Sequence, residues 1–256
     1  MPIFNWDHTV HNVNDLKVAL ETFKEHGLIA FKGGSHKQWG TYNALSYFGL
    51  TYIEFLGIED PELVEKANVF DVVAKDAFKM LPLHEAFSRV AIRTDNIDET
   101  AALLKNHQLK LSSIIDGKRL NAQGQLIEWR MMTIDGDFQG LLYPFFIQWK
   151  GSDAERLKKL TESGIIQPHP AGKITLRDAV FHVSEPAAVA DHWKKVFGLP
   201  MIESDDDNAV TLGIADKLFV FKQGDANQLT QLVFNTDAPH LKGKTITIGE
   251  AQYVFS

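Results

Sequence analysis

Two short stretches near the start of the chain alternate polar and apolar residues with a period of two, the pattern of half-buried strands. In Asp7-His8-Thr9-Val10-His11-Asn12-Val13 that period puts His8, Val10 and Asn12 on one face, and Thr9, His11 and Val13 on the other. In Tyr52-Ile53-Glu54-Phe55-Leu56 it groups Tyr52, Glu54 and Leu56, with Ile53 and Phe55 opposite. Between the two, Leu16, Ala19, Leu20 and Phe23 recur at helical spacing; Asn14 or Asp15 can cap the helix, and Gly27 stops it near His26. Leu28–Lys32 reads as a short strand. The polar run from Gly33 to Asn43 follows, and residues 43–49 lead into the closing strand. The order is βαβββ. One imidazole and one carboxylate stand in mid-strand, where apolar residues would be cheaper to bury.

The order recurs. Residues 60–87 predict a largely helical connector, opened by Asp60-Pro61-Glu62 and carrying Val69, Val72, Val73 and Phe78; its length implies that it packs on the sheet. A second module starts at Ser88–Thr94, with a helix holding Ala101, Leu103 and Leu104. Its strands are predicted at Lys110–Ile114, Ile127–Ile134 and Leu141–Trp149, divided by Asp- and Gly-rich turns at 116–124 and 135–140. A helix over Asp153–Ser163 precedes the Pro168–Gly172 turn, the best internal boundary. A third module runs from Ile174–Val183 through a helix at 186–197 to strands at 208–213 and 217–222. Residues 229–256 offer three strand-like runs and no helix, a degenerate fourth module. The prediction is an α+β fold of repeated modules paired into half-barrel sheets. Residues 1–150 form one lobe, with the connector 60–87, and residues 151–256 the other.

Composition narrows the function classes. With 45% hydrophobic and 23% charged residues over 256 positions, the chain is an ordinary globular protein with a sizeable core. A net charge of −7 argues against nucleic acid or anionic membrane as partner, since both are held chiefly by Lys and Arg. The absence of cysteine excludes disulfides, thiolate ligands and a cysteine nucleophile. The first residues lack the basic and apolar segments of a signal peptide, and no apolar run reaches membrane-spanning length, so a cytoplasmic protein is expected.

His8-Thr9-Val10-His11-Asn12-Val13-Asn14-Asp15-Leu16 resembles the opening of a glyoxalase-type module of the vicinal oxygen chelate superfamily, and Tyr52-Ile53-Glu54 resembles the strand that closes one. Within the superfamily, the Gly33–Asn43 run, Pro144–Trp149 and Pro168–Gly172 are most similar to the glyoxalase-like domain proteins. The resemblance implies ligands on the first and last strands of two paired modules. His8 and Glu54 match two of these places, whereas the other two fall on Arg89 and Gln148 (a one-residue slip makes the latter Ile147). A tight catalytic metal usually takes three or more protein ligands. Two are retained, and Arg89 would set a fixed positive charge at the site. No cofactor is therefore expected; the alternative is a divalent metal on His8 and Glu54, with His36 as a third ligand.

Without a metal, His8 or Glu54 is the candidate catalytic base. His36, Trp39 and Asn43, in the Gly-rich run, together with Arg89, Arg130 and Gln148, are candidate substrate-binding residues. Arg89, Arg93 and Arg130 could present guanidinium forks to an anionic ligand, or sit at an exposed sheet edge. His11 shares the face under the helix and reads as a buried, hydrogen-bonded histidine. The resemblance implies a small polar organic molecule as substrate and isomerase or lyase chemistry beside a carbonyl, with Arg89 stabilising a carboxylate or enolate. The alternative is a non-catalytic small-molecule binder of the bleomycin-resistance type. Monomer and homodimer both stay open.

Overall fold

The computed structural model describes residues 2–68, 70–120, 126–204 and 206–256, so Val69 and residues 121–124 of the expected turn lie outside the described part. The first module comprises β1 (Phe4–Asn12), α1 (Leu16–Glu25), β2 (Phe31–His36), β3 (Thr41–Phe48) and β4 (Thr51–Ile58). The Asp15 carboxylate accepts from the Lys17 amide at 2.8 Å, and α1 buries Leu16, Ala19 and Phe23. The Gly-rich run is not a loop. Gly33 to His36 continue β2, and the tight turn is confined to residues 37–40.

The connector holds α2 (Pro61–Lys66), capped by Asp60, and α3 (Val72–Met80). As its length implied, it packs on the sheet: Ala77 of α3 belongs to a buried cluster with Val10, Leu56, Phe145 and Ile147 on the concave face.

The second module comprises β5 (Phe87–Thr94), α4 (Ile97–Lys105), β6 (Lys110–Leu111), β7 (Ile115–Leu120) and β8 (Leu126–Met132). Three two-residue strands follow, β9 (Ile134–Asp135), β10 (Asp137–Phe138) and β11 (Leu141–Leu142), and then β12 (Phe145–Trp149). Here the expected turn at 116–124 is wrong at its start, because Asp116 to Leu120 form β7. Gly117 is needed for packing rather than turning: a Cβ there would lie 2.2 Å from the Trp129 ring.

After α5 (Asp153–Glu162), the third module repeats the order with β13 (Ile174–Val183), α6 (Pro186–Phe197), β14 (Met201–Ile202), β15 (Ala209–Ile214) and β16 (Lys217–Gln223). The last stretch adds β17 (Gln228–Thr236), β18 (Thr245–Ile248) and β19 (Ala251–Phe255), with turns and no helix between β17 and β18.

Two mixed sheets result, ordered β2-β3-β4-β1-β5-β12-β8-β7 and β14-β15-β16-β13-β17-β19-β18. In each, the first strand of one module pairs antiparallel with the first strand of the next, β1 with β5 and β13 with β17, and parallel with its own module's closing strand. One contiguous core joins the lobes, through Trp6 against Phe219 (5.6 Å between ring centroids) and Phe48 against Phe234 (4.7 Å). His11 is fully buried and hydrogen-bonded, as expected, though its partner comes from the other lobe: Nδ1 lies 2.5 Å from the Tyr253 hydroxyl. No described helix is long and apolar enough to cross a membrane.

Candidate functional site

The concave face of the first sheet carries a cavity of about 120 Å³. Strand alternation puts His8 of β1 and Tyr52 and Glu54 of β4 on this face. Because Val10 pairs with Glu54 and His8 with Tyr52, His8 and Glu54 are diagonal neighbours. His8 Nε2 lies 3.5 Å from Glu54 Oε2, an ion-pair distance rather than a tight hydrogen bond. The His8 ring stacks on Tyr52 at 4.5 Å and meets the edge of Phe145 at 5.3 Å.

Each member of the pair is held from behind. Asp7 is the extra residue of a β-bulge, since Trp6 pairs with Ile92 and His8 with Ala91. The bulge turns its fully buried carboxylate to His8 Nδ1, 2.7 Å away. The same carboxylate accepts from Arg93, Trp149 Nε1 and Arg156 at 3.0, 2.9 and 3.3 Å. Burial alone would raise its pKa; Arg156, the His8 hydrogen bond and Arg93 more than reverse this and hold Asp7 well below the usual carboxylate range. An ionised Asp7 can only accept, so His8 Nδ1 carries a proton and Nε2 faces Glu54. On the other side, Asn43 Nδ2 donates to Glu54 Oε1 at 2.6 Å, and its carbonyl accepts from the Gly34 amide at 2.9 Å. Gly33 makes room for this: a Cβ there would lie 2.1 Å from Asn43 Oδ1.

His36, Trp39 and Asn43 also line the cavity, and His36 Nδ1 lies 2.9 Å from the Thr41 hydroxyl. The three remaining candidates do not reach it. Arg89 sits where β5 takes three residues against two of β1, at the end covered by α3. Its guanidinium is buried against Asp76 of α3 at 2.5 Å and donates to the carbonyls of Ile134 and Tyr143. Arg130 and Gln148 fall on the wrong face. Trp129 and Met131 of β8, and Phe145, Ile147 and Trp149 of β12, face the cavity, so the alternate residues point away. Arg130 pairs with Asp98 at 2.5 Å, and Gln148 accepts from Ile97 N at the start of α4. Arg93 serves Asp7 and Asp153 instead of a ligand.

The sequence reading missed Asp7, Trp129, Trp149 and Asp71, the last at the cavity wall just before α3. The signal for the two tryptophans was present, in their period-two spacing with Met131 and Ile147.

The family follows from the chain as a whole. A family model described as glyoxalase-like domain matches residues 6–197. The chain belongs to the glyoxalase-like domain family. Its βαβββ modules and curled first sheet are the vicinal-oxygen-chelate fold. It is similar over 99% of both chains to a hypothetical protein from Staphylococcus aureus, at 23% identity and a TM-score of 0.85. A mutant 4-hydroxymandelate synthase from Streptomyces coelicolor matches 93% of this chain and 72% of its own, at 10% identity and a TM-score of 0.59. A Mn(II)-bound glyoxalase from Novosphingobium aromaticivorans matches 100% and 82%, at 10% identity and a TM-score of 0.56. No curated protein matches. At these identities the likeness extends to the fold.

The donor set of this glyoxalase-like protein does not fit a catalytic metal. His8 Nε2 and Glu54 Oε2 converge, but Glu54 Oε1 is taken by Asn43, and Arg89 faces Asp76. No group of three His, Asp or Glu among the described residues could hold an ion.

Proposed function

We propose that the protein is a glyoxalase-like enzyme of isomerase or lyase type that moves a proton at a carbon next to a carbonyl in a small organic molecule. The observation that carries this reading is the His8–Glu54 pair at 3.5 Å, at the wall of a largely apolar cavity, each member fixed by a separate polar partner. Glu54 Oε2 takes the proton from the carbon, and the C–H electron pair moves into the enol(ate). His8 Nε2 takes that proton over from Glu54 and delivers it to the carbonyl oxygen or to the adjacent carbon, so that one proton is removed and one returned without oxidant or reductant. Asn43 keeps Oε1 occupied, leaving Oε2 as the reacting oxygen.

The second reading is a non-catalytic binder. It is favoured by the lining itself, in which no Lys or Arg among the described residues stands ready to stabilise an enolate. Hydrogen exchange separates the two. Small α-hydroxy and α-amino carbonyl compounds are incubated with the protein in D₂O, and loss of the α-proton is followed by NMR. Catalysed exchange that falls at least about a hundredfold in Glu54→Gln supports the enzyme. Exchange no faster than in buffer for every compound leaves the binder, and catalysed exchange unaffected by Glu54→Gln removes Glu54 as the base.

A further inference from the structure

We infer that this cavity selects a small organic cation, a protonated amine or quaternary ammonium, over neutral or anionic molecules of the same shape. The inference rests on the cavity being the ligand site and adds the substrate class.

Aromatic rings and carboxylates line this cavity together. Trp39 follows β2, Trp129 and Trp149 stand on β8 and β12, and Tyr52 lies beside His8. Indole faces attract a cation through the ring quadrupole most strongly, and since His8 and Tyr47 stack on Tyr52 at 4.5 and 4.7 Å, the tryptophans carry this attraction. The protein already makes such a contact at the back of this wall, where the Arg156 guanidinium lies 4.3 Å from the centre of the Trp149 ring. Two carboxylates, Glu54 and Asp71, line the same space. Among the described residues no Lys or Arg does, because Arg89 is turned to Asp76, Arg93 and Arg156 to Asp7, and Arg130 to Asp98. The nearby guanidiniums are thus neutralised by partners outside the cavity.

One opposing field has to be weighed. The first turn of α3 borders the cavity, and a helix N-terminus carries roughly half a positive charge. Asp71 stands at that terminus with a full negative charge, so the sum at this wall stays negative. The net charge of −7 adds a long-range field that draws cations and repels anions.

The test uses three probes of nearly one shape, choline, 3,3-dimethyl-1-butanol and 3,3-dimethylbutyrate, titrated into the full-length protein by calorimetry and tryptophan fluorescence. Choline should bind roughly tenfold more tightly than the neutral alcohol, the scale of a desolvated cation–π contact, and the carboxylate should show no saturable binding. Asp71→Asn, which keeps the shape of the wall, should reduce the preference for choline while leaving the alcohol's affinity within about twofold, and Trp129→Leu should weaken choline by a larger factor than the alcohol. Equal affinity for choline and the alcohol, tighter binding of the carboxylate, or no binding by any of the three would overturn the inference. Failure of charge selection leaves the exchange reaction of Glu54 standing, and loss of that reaction leaves charge selection standing.

Discussion

Asp7 and His8 are consecutive residues of one strand, yet the Asp7 carboxylate reaches the His8 ring at 2.7 Å. Regular alternation would send the two side chains to opposite faces. The bulge at Asp7 cancels it and gathers His8, Arg93, Trp149 and Arg156 around one buried carboxylate. Replacing Asp7 with Asn keeps the shape and removes the charge that two guanidiniums depend on. We expect Asp7→Asn to lose about 3 kcal/mol in urea unfolding, because breaking one side of a buried ion pair strands the other. A loss below about 1 kcal/mol would show that Asp153 alone satisfies Arg93.

The Arg89–Asp76 pair makes the opposite case for a residue that looked functional. Its guanidinium holds α3 on the sheet and closes one end of the concave face. Arg89→Met should cost about 3–5 kcal/mol, since it leaves Asp76 buried and unpaired, and adding Asp76→Leu should recover most of that. Arg89→His should leave divalent-metal content unchanged and well below one ion per chain, because position 89 does not face His8 and Glu54. Stoichiometric metal bound by His8 and Glu54 in the unmodified protein would refute the account of the donor set.

Gly33 and Asn43 form a matched pair across β2 and β3. A methyl group at position 33 would collide with the Asn43 amide that orients Glu54. Gly33→Ala should therefore destabilise by about 1–3 kcal/mol. In an Asn43→Ala background the same change should cost clearly less, a coupling of about 1 kcal/mol in a double-mutant cycle. Additive effects would mean that β2 yields elsewhere.

What the sequence disclosed follows from regular periodicity. His8 and Glu54 share a face because both strands keep a period of two, and Asp15 and Asn96 cap α1 and α4 at equivalent places. The failures fall where that regularity breaks or its phase was not followed. Asp7 and Arg89 sit in bulges, one drawn toward the site and the other away. Arg130 stands out for its mid-strand charge and Gln148 for its place in the module resemblance, although Trp129 and Trp149 beside them have the cavity-facing phase. Gly117 looked like a turn but makes room for an indole ring. The position of α3 across the cup depends on a tertiary contact that no local pattern encodes.

His11 carries the last prediction. It is fully buried at the seam between the lobes, between the rings of Phe55, Phe87 and Tyr253. Burial lowers its pKa to about 3, and the backbone of Glu85 and Ile248 offsets little of that. The folded protein therefore keeps His11 neutral at pH values where the unfolded chain, with an ordinary value near ~6.5, is already protonated. Because the unfolded state binds more protons, stability falls as pH drops below ~6.5 and continues to fall toward the folded value. Between pH 6.5 and 4.5 this amounts to about 2–3 kcal/mol, at 1.36 kcal/mol per pH unit. Asp7 does not confuse this window: its contribution is present above the ordinary carboxylate value and is lost only below ~pH 4. His11→Gln can retain a hydrogen bond to Tyr253 and cannot titrate. Urea unfolding from pH 7 to 4.5 should show the native protein losing about 2–3 kcal/mol more than this variant. Parallel pH profiles for the two proteins would mean that water or a rearranged seam accepts the charged imidazole.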